Sequence, residues 1–185
     1  MSNISIPTSW SSGRTLDLFY IKGRLGWKGL RASEFQGEGP FLITGTDFVG
    51  GKVDWSRSFH ISDARFIESP EIIVQPRDIL ITKDGTIGKV AFIERIPFPG
   101  KASLNSHLFL VRSRTKKIDQ RFASYIFQSY LFRRFIETNK LARHYQDSHR
   151  GSLSDSRFHY LRRNSKARSL KFFRLWTRRL IRLRR

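Results

Sequence analysis

Apolar and polar residues alternate across residues 77–90, where Ile79 and Ile81 interleave with Leu80 and Thr82, and Ile87 and Val90 follow a Lys83-Asp84-Gly85 step. Period-two alternation on both sides of an Asp-Gly dipeptide predicts a β-hairpin whose tight turn uses the positive φ that these residues tolerate. Its tip presents Lys83, Thr86 and Lys89. Upstream, short apolar runs recur between turn clusters: Leu16 to Tyr20, Pro40 to Thr44, Lys52 to Trp55 after Gly50-Gly51, Phe59 to Ile61, and Glu71 to Val74. Downstream, Ala91 to Ile93 continues the hairpin, Pro97-Phe98-Pro99-Gly100 interrupts it, and His107 to Val111 predicts a further strand. From Asp119 the period lengthens to about three and a half. Phe122, Tyr125, Ile126, Ser129, Phe132, Phe135 and Ile136 then define one apolar face of a helix packed on the strands, with Asp119 as its N-cap. The fold class predicted is α+β: a β-rich domain with a packed C-terminal helix, then an irregular or helical basic tail.

Composition changes this picture mainly through charge. The 185 residues carry a net charge of +20, which favours a polyanionic partner because neutralising phosphates releases condensed counterions. The charge is uneven: residues 1–140 hold 21 Lys and Arg against 13 Asp and Glu, whereas residues 141–185 hold 14 against 2. The division near residue 140 therefore separates a domain, 1–140, from a tail, 141–185. Cysteine is absent, so neither a disulfide framework nor a thiolate zinc site is available. No cofactor or metal is implied. The first ten residues lack a charged segment followed by an apolar run, and no apolar span approaches roughly 18 residues. A cytoplasmic protein, neither exported nor membrane-spanning, is the expectation.

Candidate chemistry sits in the loops. Ile21 to Leu30 interleaves three glycines with Lys22, Arg24 and Lys28 around Trp27, a combination suited to phosphate contact and to stacking, although Trp27 serves equally well as a core anchor. Lys83, Thr86 and Lys89 stand beside Gly85 and Gly88, which permit close backbone approach to a phosphate or base edge. In the polar loop from Lys101 to Ser106, Lys101, Ser103 and Asn105 offer donors and acceptors without a nucleophile–base pair. His60 and His107 stand singly on strand-like segments and are expected to be satisfied structural histidines. Asp47, Asp54 or Asp84 could hold a divalent ion in a nuclease, but only Asp84 has an adjacent lysine.

Four strings occur in order: Lys22-Gly-Arg-Leu-Gly-Trp-Lys-Gly-Leu30, Leu42-Ile-Thr-Gly-Thr-Asp-Phe48, Asp78-Ile-Leu-Ile-Thr-Lys-Asp-Gly-Thr-Ile-Gly-Lys89 and Gly100-Lys-Ala-Ser-Leu-Asn-Ser106. Together they resemble a target recognition domain of the type I restriction-modification specificity subunit, over roughly residues 15–140. The resemblance implies a non-catalytic domain that reads one half of a bipartite duplex DNA sequence. It also implies partners: an adenine-methylating subunit and an ATP-driven translocating nuclease subunit. Candidate DNA contacts are then Lys22, Arg24, Trp27, Lys28, Lys83, Thr86, Lys89, Lys101, Ser103 and Asn105.

The chain departs from that family in having one such domain, no internal repeat, and an Arg-rich tail where the family continues with a Thr-Gly-Ser-Thr-like loop, a Pro-Leu-Pro segment and an acidic helix. The genetic code bears on this difference. Pairing the third base of each codon with the first two of the next permits GSTLPR and then L from Leu141 to Ser148, PLPLPPK from Ser156 to Arg163, and QSAIAEIL then VDEAIDQTE from Ser165 onward. Three segments in family order point to a frameshift near residue 140. Taken at face value, Lys166 to Arg185 has the composition of a basic amphipathic helix, suited to nonspecific binding of nucleic acid or anionic lipid. As a frameshift product, it is expected instead to be poorly ordered and to impair docking of the partner subunits.

Overall fold

Ile79 and Ile81 face one hydrophobic cluster and Leu80 faces another, so the strand that carries them is buried at every position. The computed structural model in which this is seen describes residues 10–12, 15–24, 30–115, 118–138 and 182–184. Its elements run β1 (Trp10–Ser12), α1 (Thr15–Leu18), β2 (Phe19–Lys22), β3 (Gln36–Ile43), β4 (Phe48–Val49), β5 (Lys52–Val53), β6 (Phe59–His60), α2 (Asp63–Ile67), β7 (Ile79–Thr82), β8 (Val90–Phe92), β9 (Ala102–Leu104), β10 (Leu108–Ser113), α3 (Gln120–Gln128) and β11 (Arg182–Arg184). Residues 130–138 are also helical. The architecture is α+β.

The principal sheet has the order β2-β10-β7-β8 with every pair antiparallel. A second sheet, β6-β3-β9, pairs β3 with β9 in parallel. Side-chain alternation along the principal sheet sorts residues between two cores. Phe19, Ile21, Ile79, Ile81, Val90, Phe92, Phe109 and Val111 meet Ala123, Phe127, Phe132 and Ile136 of the helical segments. Leu80, Ala91, Leu108 and Leu110 meet Phe41, Ile43, Ala102 and Leu104 of the second sheet. Each such Ile, Leu or Phe contributes about 1.5–3 kcal/mol by leaving water, so the strand interiors are committed to stability.

Three expectations change in detail. The β7–β8 hairpin forms, but its loop is longer than an Asp-Gly turn. Ile81 pairs with Val90, and the amide of Thr82 donates to Lys89 O at 3.0 Å. The Thr82 side chain sets that length: its hydroxyl donates to Thr86 O and accepts from the Lys89 amide at 2.9 Å. Glu71 to Val74 is not a strand, because Pro70 opens a 3-10 turn over Pro70–Ile72, after which the Val74 amide donates to Ala102 O. The helix begins on the Asp119 cap as expected, the Phe122 amide donating to its carboxylate at 2.7 Å. It then stops at Ser129, and the break shifts the phase: Ala123, Phe127, Phe132 and Ile136 are buried, whereas Phe122 and Tyr125 are 41% and 58% exposed.

Most of the tail lies outside the described residues. At its end, Arg182–Arg184 is a strand and not a helix, pairing antiparallel with Trp10–Ser12, as its Arg-Leu-Arg alternation suits.

Candidate nucleic-acid interface

Strand direction decides which loops share an end of the molecule. β7 runs toward the 83–89 loop; β10, antiparallel to it, starts beside that loop; β2, antiparallel to β10, ends there. β9 ends just before the turn that leads into β10, and β3, parallel to it, ends alongside, the Asn105 amide donating to Ile43 O at 3.0 Å. The sheets touch at this end, since a Cβ on Gly45 would lie 2.8 Å from Thr82 Cγ2.

Lys22, Lys83, Thr86, Lys89 and Asn105 are thereby brought to one rim. Lys22, Thr86 and Lys89 are exposed, and Lys83 and Asn105 half-buried. The Lys83 amide donates to His107 O at 2.9 Å, and its ammonium sits 5.2 Å from the centroid of the Phe109 ring, a cation–π contact that holds the charge at the rim. Gly23 explains how β2 gets so close: a Cβ there would lie 2.8 Å from Leu108 O and 3.5 Å from Lys83 Nζ. Asn105 Oδ1 accepts from the His107 amide at 3.0 Å, which fixes the turn into β10. The rim therefore holds the ammonium groups of Lys83 and Lys89, a hydroxyl and an amide on loops tied to buried strands, with Lys22 at its edge, where its ammonium lies 5.7 Å from the centroid of the Tyr20 ring.

Arg24 and Ser103 do not join it. Arg24 is fully buried, with Nε donating to Leu104 O at 2.8 Å, one terminal nitrogen to Ser103 Oγ at 3.0 Å and the other to Ser69 Oγ at 3.3 Å. Burial pulls its guanidinium below the ordinary arginine value, with the charge of Arg65 adding to the effect. Both residues tie the chain after β2 to β9, which corrects the expectation that they touch DNA. Lys101 lies at the opposite end of β9 and pairs with Asp63 at 2.7 Å. Trp27 and Lys28 lie outside the described residues.

The carboxylates considered for a nuclease have other work. Asp47 is buried and accepts from the Thr44 amide and hydroxyl, both at 2.8 Å, and from the Ser58 hydroxyl at 3.0 Å. Asp54 caps a 3-10 turn by accepting from the Ser56 amide. Among the described residues no group of three His, Cys, Asp or Glu side chains could hold a metal, and no helix is long and apolar enough to cross a membrane.

The two histidines differ. His60 is structural as expected, bonded through Nδ1 to Gly39 O at 2.8 Å and lying against Phe41. His107 precedes β10, is exposed at the rim, and its Nδ1 lies 3.3 Å from Asp84 Oδ2. Its signal in the sequence is that it closes the polar run from Lys101 and stands immediately before the four apolar residues of β10.

The architecture places the chain among α+β domains that have been seen within much longer proteins. Its fold is similar to that of a chain of the type I R-M system solved in connection with complex assembly and conformational transition, with a TM-score of 0.51, 17% identity, and coverage of 67% of this chain and 28% of that one. The HsdS subunit of Thermoanaerobacter tengcongensis is also similar, with a TM-score of 0.49 and 18% identity over 67% of this chain and 28% of that one. This chain thus spans less than a third of the length of these solved chains. No protein-family model matches it, and no curated protein does.

Proposed function

We propose that this chain is the sequence-reading part of a type I restriction-modification specificity subunit. It reads one half of a bipartite duplex target through the rim formed by Lys22, Lys83, Thr86, Lys89 and Asn105, does no chemistry itself, and brings methyltransferase and translocating nuclease subunits to DNA in the cytoplasm. The observation that carries this reading is the convergence of those five residues at one end of a sheet whose interior is committed to two cores. Ammonium groups at such a rim neutralise phosphates, and the amide and hydroxyl suit base edges. The fold likeness to a type I R-M chain supports the same reading.

In this reading residues 1–140 form the recognition domain and 141–185 a basic tail made out of frame. An acidic heptad-like helix, which partner docking needs, is replaced by arginines, so docking is impaired. The test is binding of the full chain to a pool of random-sequence duplexes at two salt concentrations. A selected sequence preference that persists at the higher salt is expected; binding with no preference, or with no salt dependence, overturns the reading.

A further inference from the structure

We infer that His107 is a further DNA-contacting residue of this rim, meeting a base edge through Nε2, and that Asp84 is its positioning residue; the inference rests on the reading above. A carboxylate at neutral pH only accepts hydrogen bonds, so the 3.3 Å approach of Asp84 Oδ2 to His107 Nδ1 puts the imidazole proton on Nδ1. In the neutral imidazole Nε2 is then a lone-pair acceptor, and among the described residues it has no partner. The backbone that carries the ring is held from two directions: its amide donates to Asn105 Oδ1, and its carbonyl accepts from the Lys83 amide. Its side chain is nevertheless 62% exposed. An imidazole oriented by one carboxylate on a fixed backbone, with an unused acceptor at a cationic rim, is suited to an exocyclic amino group of adenine or cytosine in the major groove.

Asp84 itself is otherwise difficult to place. A carboxylate beside Lys83 on a surface facing a polyanion opposes binding by charge alone, and at 54% side-chain exposure it has no burial to gain. Orienting His107 gives it a role that only an acceptor can fill.

Charge and positioning make opposite predictions, so the experiment is a double-mutant cycle in the full chain, read as affinity for the duplex selected from a random pool and as preference at each base pair. His107→Ala is expected to weaken binding about three- to tenfold and to erase preference at one base pair. Asp84→Ala, which removes the acceptor as well as the charge, is expected to weaken binding in the wild-type background, yet to tighten it in His107→Ala, where only the lost negative charge counts. An unchanged His107→Ala variant, equal weakening for all sequences, or an Asp84→Ala change that tightens binding alike in both backgrounds would each overturn the inference while leaving the broader reading intact. A wild-type chain that selects no sequence from the pool overturns both.

Discussion

The guanidinium of Arg24 lies 3.0 Å from the hydroxyl of Ser103, so two residues whose chemistry suits DNA are joined to each other inside the protein. Replacing Arg24 by methionine keeps most of the side-chain stem but leaves Leu104 O and the hydroxyls of Ser69 and Ser103 without their donor. The expected result is a loss of about 3 kcal/mol in unfolding free energy, measured as a lower urea midpoint at unchanged slope. Ser103→Ala removes one bond and should cost about 1 kcal/mol.

Gly23 is a second structural test at the same place. A Cβ there would sit 2.8 Å from Leu108 O, a backbone atom that cannot rotate away. Gly23→Ala is expected to push β2 from β10 and to lower stability by about 1–3 kcal/mol, again read by urea denaturation. Gly37, with no atom near enough to meet a Cβ, is the control, and alanine there should be close to neutral.

Asp119 gives a pH dependence whose sign can be worked out. The hydrogen bond from the Phe122 amide, with help from Arg77, holds its carboxyl below the usual aspartate value in the folded chain. A depressed folded pKa means that the stabilisation is complete above the unfolded value of about 3.9 and is lost as pH falls through the folded one. Solvent screens the Arg77 contact at this exposed site, so the cap dominates. Asp119→Ala is expected to cost about 1 kcal/mol at neutral pH, and Asp119→Asn, which keeps the cap without the charge, to flatten the acid limb of a thermal-melting series.

For the rim, substitution of Lys22, Lys83 or Lys89 by alanine should each reduce the dependence of log affinity on log salt by about one. Lys101→Ala should leave that slope unchanged, since its ammonium lies at the far end of β9 beside Asp63. Binding titrations over a salt series check both statements, and an equal effect at Lys101 would remove the distinction between the two ends.

Assembly supplies a prediction independent of DNA binding. The chain should fail to co-purify stoichiometrically with a tagged cognate methyltransferase subunit, and a compensating base change that restores the frame near codon 140 should rescue the complex. Sequencing the coding DNA there checks the premise directly.

Local pairing was legible in the sequence. The two sides of the β7–β8 hairpin, the Asp119 cap and the strands at Pro40 to Thr44 and His107 to Val111 follow from period and turn chemistry, which act over a few residues. The destination of an isolated arginine was not. Arg24 and Lys22 sit in one glycine-rich string, and only long-range packing against Ser69 and Ser103 separates a buried cation from an exposed one. The helical face was misjudged for a related reason: a single interruption at Ser129 changes which aromatics point inward, and periodicity carried across it mistakes Tyr125 for core. The approach of His107 to Asp84 is not legible either, because it is brought about by the β7–β10 pairing and not by spacing along the chain.

The principal sheet has core on both sides, and this divides the chain into positions that can change and positions that cannot. Along β7 and β10 a substitution made to alter binding would disturb one hydrophobic cluster or the other, because residues of either parity are occupied. Only the points where strands emerge are free of that constraint. In a protein built in this way, side chains at the rim can be exchanged while the scaffold beneath stays unchanged.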